Sequence, residues 1–130
     1  IYHENIKNLF SISDFLSINC PSTRETKKII NKETLKFFSK NAIITNSARG
    51  DMIDDDAMVE ALKNKKIFAL GLDVYNGEPD IHPEYLKLSN VFILPHLGSA
   101  TKKTRIDMAN LAIDNIEEFF KTGKCINKVN

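Results

Sequence analysis

Three side chains in this sequence could do chemistry together: Arg49 in Asn46-Ser47-Ala48-Arg49-Gly50, Glu78 in Gly77-Glu78-Pro79, and His96 in Leu94-Pro95-His96-Leu97-Gly98-Ser99. Arg49 and His96 each stand just past an aliphatic or β-branched run, and Glu78 follows another such run after a short loop. A guanidinium can grip a carboxylate through two parallel hydrogen bonds. An imidazole can serve as a general acid–base near neutral pH, and a carboxylate beside it would orient the ring and favour its protonated form. The trio therefore has the parts to hold a carboxylate substrate and move a proton. Each residue also has a plainer reading: a surface arginine closing a strand–loop junction, a structural histidine, and a solvated loop acid before Pro79.

Asp73 ends the apolar run Ala69-Leu70-Gly71-Leu72, where a carboxylate is costly unless something hydrogen-bonds it. Either a ligand amide or a backbone group of the adjoining loop could do so. Gly98-Ser99-Ala100-Thr101 leads into a long helical stretch whose amino end favours anionic groups. His3 and His82 lie in polar loops and receive no role. His82 and His96 lack the close spacing of a helical metal-binding pair, and no clustered Cys or Asp accompanies them, so no metal site is expected. There is no glycine-rich phosphate loop of the GxGxxG or Walker type.

The elements that must position these residues follow from hydrophobic periodicity. Ile6, Leu9 and Phe10 predict a short amphipathic helix over 5–11, and Phe15 to Asn19 a strand stopped by Cys20-Pro21. Asn31 can cap a helix running through Leu35, Phe37 and Phe38. Ala42 to Asn46 reads as a second strand, and Asp54 as the cap of a helix over 55–64 with Met58, Val59 and Leu62 inward. A third strand spans 67–74, and a turn of helix over 84–88 precedes a fourth strand, Val91 to Leu94. One long helix runs from Thr101 to about Thr122, with Met108, Ala112, Ile116 and Phe119/Phe120 on one face, and Gly123 ends it. Strands alternating with helices predict an α/β fold with a doubly wound parallel sheet. Strands apolar on both faces, such as Ile43-Ile44 and Val91 to Leu94, predict a sheet covered on both sides.

The chain has 130 residues, 42% hydrophobic and 27% charged, which suits one modest globular core. A formal charge of +1 gives no electrostatic reason to expect nucleic acid or an anionic membrane as a partner. No apolar run approaches a membrane span, and no signal-peptide pattern opens the sequence. Cys20 and Cys125 are too few and too far apart for a CxxC motif, and unpaired thiols point to the cytoplasm. The sequence opens with Ile1 in a polar, turn-like stretch and is expected to be the C-terminal part of a longer enzyme.

Taken in order, Ser13-Asp14-Phe15 into Asn19-Cys20-Pro21, Asn46 to Gly50, Gly71-Leu72-Asp73-Val74, Glu78-Pro79 and Pro95 to Thr101 resemble the D-isomer-specific 2-hydroxyacid dehydrogenases. Within that family they resemble the glyoxylate/hydroxypyruvate reductase branch. The resemblance implies the C-terminal half of a Rossmann-type sheet, with residues 1–100 as a partial NAD(P)-binding domain, 101–123 as a bridging helix and 124–130 as a return segment to a substrate domain. It implies reduction of a small 2-keto acid, glyoxylate or hydroxypyruvate, by hydride transfer from NADH or NADPH. Arg49 would bind the substrate carboxylate, His96 would donate a proton to the keto oxygen, and Glu78 would hold His96 protonated and oriented. Asp73 would contact the nicotinamide carboxamide, the turn from Cys20 and Pro21 to Thr26 would border the adenosine side, and Ser47, Ala48, Arg49, His96 and Gly98 would also lie along the cofactor. The glycine-rich turn and the position that selects NAD or NADP are not in the sequence, so these 130 residues are expected to be inactive alone. A homodimer is expected for the full-length enzyme. Phosphoglycerate or D-lactate dehydrogenases, or a nucleotide-sensing corepressor on the same fold, are the alternatives.

Overall fold

The computed structural model describes residues 1–129. They fall into two compact units that divide between His96 and Leu97. The first is built on one sheet of four short strands, β1 (Phe15–Ile18), β2 (Ile43–Asn46), β3 (Ala69–Leu72) and β4 (Val91–Ile93). All neighbours are parallel and the order is β1-β2-β3-β4, with Leu16, Ile44, Leu70 and Val91 in one row. This sequential parallel order is that of one half of a doubly wound sheet. Helix α1 (Ile6–Ile12) precedes β1, and its Asn5 cap accepts the Lys7 N–H at 2.9 Å. Helix α2 (Asp55–Lys63) joins β2 to β3, with Asp54 as its cap, accepting the Ala57 N–H at 3.2 Å.

One face of the sheet, carrying Ile18, Ile44, Leu70 and Leu72, forms a continuous core with Met58, Val59, Ala61 and Leu62 of α2. The rings of Phe10 and Phe38 stack 4.5 Å apart at its margin. The other face is open, with Phe15 and Phe92 exposed at 77% and 66%. The expected cover on both sides is therefore not found among the described residues. Both α1 and α2 contribute to the one core, which leaves the alternate positions of each strand bare.

The helix expected through Phe38 is a single 3-10 turn, Thr34–Phe37. Glu33 stands at its cap position, and Asn31 holds the approach to it, its Oδ1 accepting the N–H groups of Glu33 and Thr34. However, the Thr34 hydroxyl bonds back to the Ile29 carbonyl, and Phe38 turns extended to reach the core. Residues 84–88 likewise yield one 3-10 turn, Tyr85–Lys87.

In the second unit, α3 (Lys102–Thr122) begins at Thr101, whose hydroxyl accepts the Thr104 N–H at 3.1 Å. It ends at Gly123, left-handed at φ 73°, with its N–H on the Phe119 carbonyl. No residue of α3 is buried, and Met108, Ile116, Phe119 and Phe120 stand exposed. Of the segment 124–130, residue 130 lies outside the described residues. No helix among the described residues is long and apolar enough to cross a membrane.

Candidate active site

Asn46, the last residue of β2, is only 1% exposed and organises the loop at the end of that strand. Its side-chain oxygen accepts the Ala48 N–H at 3.0 Å and its amide nitrogen donates to the Arg49 carbonyl at 2.8 Å. Its own carbonyl accepts the Asp73 N–H at 3.0 Å, which ties the exits of β2 and β3 together. A buried amide bonded through both its oxygen and its nitrogen is a rigid joint. It presents Arg49 with an extended backbone and an exposed side chain. The guanidinium donates to the Ala48 carbonyl at 2.6 Å, and no carboxylate among the described residues pairs with it. Most of its five donors remain for an incoming carboxylate.

Gly50 comes next, at the point where two loops meet. An added Cβ would lie 2.1 Å from the Tyr75 carbonyl carbon and 2.3 Å from the Asn76 nitrogen. Only a glycine lets the Arg49 loop touch the backbone of the loop after β3.

That second loop carries Glu78. Its Oε1 accepts the Tyr75 N–H at 3.0 Å, and its Oε2 lies 2.7 Å from Nδ1 of His96. The bond to the His96 ring, helped by the Tyr75 amide, holds the Glu78 carboxyl below its ordinary range. Gly77 supplies the left-handed turn before it, at φ 81°. His96 itself has φ 54°, a left-handed backbone that costs a side-chain-bearing residue of order 1 kcal/mol or more. Such outliers gather where a side chain has to be aimed. With Nδ1 committed to Glu78, Nε2 is the nitrogen left for proton transfer.

The exits of β1 and β2 enclose a cleft of about 540 Å³ lined by Asn19, Cys20, Pro21, Ser22, Ser47, Ala48 and Arg49. Ser47 donates to Asn19 Oδ1 at 2.9 Å across its floor, and Thr26 donates to the Pro21 carbonyl at 2.8 Å, holding the rim from behind. Five of the residues expected along a cofactor thus share one cleft at the carboxyl ends of parallel strands, where ligands of α/β sheets bind. Thr26 braces it without lining it. Asp73 sits at the neighbouring strand exit. Gly98 belongs to the second unit, in a turn closed by the Ala100 N–H on the Leu97 carbonyl. Asn46, Tyr75 and Asn19 were not among the candidates. A polar residue ending the apolar run Ala42 to Thr45 was a signal for Asn46, but a backbone amide such as that of Tyr75 leaves none.

Both cysteines are unpaired and exposed. No group of three or more His, Cys, Asp or Glu among the described residues could hold a metal ion.

Residues 1–98 match the family described as D-isomer specific 2-hydroxyacid dehydrogenase, NAD binding domain. The chain is 43% identical over 119 residues to a glycerate dehydrogenase of Hyphomicrobium methylovorum, covering 92% of this chain and 37% of that protein. It is 40% identical over 126 residues to a glyoxylate reductase of Thermococcus litoralis, covering 97% and 38%. Among solved structures, it matches an NADPH-dependent glyoxylate/hydroxypyruvate reductase of Sinorhizobium meliloti in complex with NADP and malonate. That match has a TM-score of 0.92 at 34% identity over 98% of this chain and 40% of the other. The chain therefore spans less than two fifths of the curated relatives above. An Arg49 loop and a Glu78–His96 pair at the strand exits, on a sheet of this order and with these relatives, place the chain in the D-isomer-specific 2-hydroxyacid dehydrogenase family.

Proposed function

We propose that this chain carries the nucleotide side and the acid–base machinery of a reductase for small 2-keto acids, glyoxylate or hydroxypyruvate. The observation that carries the reading is the 2.7 Å bond between Glu78 Oε2 and His96 Nδ1. Glu78 fixes the ring and neutralises the charge of its protonated form, so Nε2 can deliver a proton to the keto oxygen. The ring is half exposed and regains that proton from solvent. Arg49 binds the substrate carboxylate and draws electron density from the adjacent carbonyl.

The cleft lined by Cys20, Pro21, Ser47, Ala48 and Arg49 fits a dinucleotide lying across the ends of β1 and β2. Such a dinucleotide, NAD or NADP, supplies the hydride when bound. Asp73 and Gly98 complete its contacts on this reading. The edge of β1, unpaired among the described residues, and the bare sheet face support completion by further strands and helices. A homodimer belongs to the same reading, as does a cytoplasmic location, for which the unpaired Cys20 and Cys125 are the support. Residues 1–100, 101–123 and 124–130 are proposed as nucleotide domain, bridging helix and return segment. The 130 residues alone are proposed to be inactive, for want of a glycine-rich pyrophosphate turn.

The test is oxidation of NADH and NADPH by the full-length protein, with glyoxylate, hydroxypyruvate, 3-phosphohydroxypyruvate and pyruvate as acceptors. Turnover with either of the first two supports the reading. Dinucleotide binding without turnover on any acceptor would move the protein to the nucleotide-sensing class.

A further inference from the structure

The segment that carries Glu78 meets the first turn of α2 on both sides. Upstream of Glu78, the Asn76 side chain lies by the Asp55 carboxylate and favours its charged form. Downstream, the Tyr85 hydroxyl donates to Asp55 Oδ1 at 3.0 Å. Tyr85 is 1% exposed, so its ring is locked in the core and its single hydroxyl points at one acceptor. A second, more open contact lies beside it: His82 Nε2 is 3.2 Å from Asp56 Oδ1. The other ring nitrogen, Nδ1, accepts the Glu84 N–H, which leaves the proton of a neutral His82 on Nε2 to donate to Asp56.

Asp55 is not needed to cap α2, because Asp54 already does so. Its carboxylate turns instead toward the other loop. Burial pushes the Asp55 carboxyl up, and the Tyr85 bond and the Asn76 side chain nearby oppose that. Burial likewise pushes the Tyr85 hydroxyl up, so Tyr85 stays the donor. Asp55 also closes the short stretch that begins at Arg49 and Gly50. It therefore joins the arginine-bearing segment to the glutamate-bearing one, on the far side of the Gly50–Tyr75 contact.

We propose, resting on the reductase reading above, that Asp55 is a positioning residue for the Glu78–His96 pair, holding Tyr85 so that the 76–85 segment presents Glu78 to the imidazole. A helix amino terminus is a stiff mount for such a carboxylate, and a proton donor displaced by an ångström loses much of its rate.

The experiment uses Tyr85→Phe and Asp55→Asn in the full-length protein, each folded by far-ultraviolet circular dichroism. Tyr85→Phe removes one oxygen and leaves the ring in the core. Lys28→Met, which removes the ion pair to Asp54 at the same helix end, is the control. Two readouts are taken: the titration midpoint of the Glu78 carboxyl by carbon-13 NMR, and kcat with KM for the keto acid. In both variants the Glu78 midpoint should climb by about half a pH unit or more toward the ordinary range as its bond to His96 loosens. The kcat should fall several-fold with dinucleotide affinity unchanged, and Lys28→Met should move neither. Folded Tyr85→Phe and Asp55→Asn proteins whose Glu78 midpoint stays at the wild-type value would overturn the proposal. A midpoint that moves in a protein whose wild type reduces no keto acid would sustain the positioning and defeat the reductase reading instead.

Discussion

Gly50 rests directly on the backbone of Tyr75, so close that a methyl group on Gly50 would sit 2.1 Å from the Tyr75 carbonyl carbon. The residue before Gly50 is the proposed carboxylate clamp, and the Tyr75 N–H holds the carboxylate that pairs with His96. Two loops from different strand exits are thereby locked in one arrangement. Gly50→Ala should cost about 3 kcal/mol or more, since the obstacle is backbone that cannot rotate away. It should raise KM for the keto acid and lower kcat together. Denaturant unfolding and steady-state kinetics check both. The obstacle to a Cβ at Gly71 is only the Thr45 methyl group at 3.2 Å, so Gly71→Ala should be much milder.

Asn46 makes two side-chain bonds while fully buried. Asn46→Ala should destabilise the protein by about 1–3 kcal/mol, because the Arg49 carbonyl and the Ala48 N–H lose their partner. The functional signature should be a higher KM for the keto acid with cofactor affinity less affected, as the freed loop no longer aims Arg49. Thermal melts and substrate titrations separate the two effects.

The pairing of Glu78 with His96 gives a pH signature with a definite sign. The folded-state pKa of Glu78 lies below its ordinary value. Its contribution to stability is therefore complete above the ordinary carboxylate range and is lost as pH falls through the folded value. The stability gap between wild type and Glu78→Gln should be largest near neutral pH and should close on acidification. Urea unfolding across acidic pH measures it.

Glu84 bridges Lys63 of α2 and Lys87, and these partners pull its pKa to about 2. By the same linkage its contribution persists as pH falls below the ordinary carboxylate range and fades only as about 2 is approached. Glu84→Gln should thus still be less stable than wild type at pH values where Glu78→Gln has already converged with it. Added salt should shrink the effect, because the bridge faces solvent.

Much of this architecture could be read from local sequence because its causes are local. The cap at Asp54 and the stop at Gly123 each depend on one residue and its neighbours, and each is where the sequence put it. Arg49 and His96 stand at strand exits because Ala42 to Asn46 and Val91 to Leu94 are unmistakable apolar runs. The stretch after Asn31 failed as a helix because the core needs Phe38 beneath Phe10, a demand made by a residue far away in sequence. The need for glycine at position 50 was not legible, since the obstacle belongs to Tyr75 in another loop. The joints around the site, Asn46 to Arg49 and Asp55 to Tyr85, are tertiary hydrogen bonds that no spacing rule announces.

On the proposed function, His96, held by Glu78, delivers the proton. His96→Gln in the full-length protein, assayed by keto-acid-dependent oxidation of NADH and NADPH alongside dinucleotide binding by fluorescence, tests it most directly. The expected result is a fall in kcat of about 10²–10⁴-fold with dinucleotide affinity unchanged. A variant that reduces the keto acid at the wild-type rate across neutral pH would contradict it.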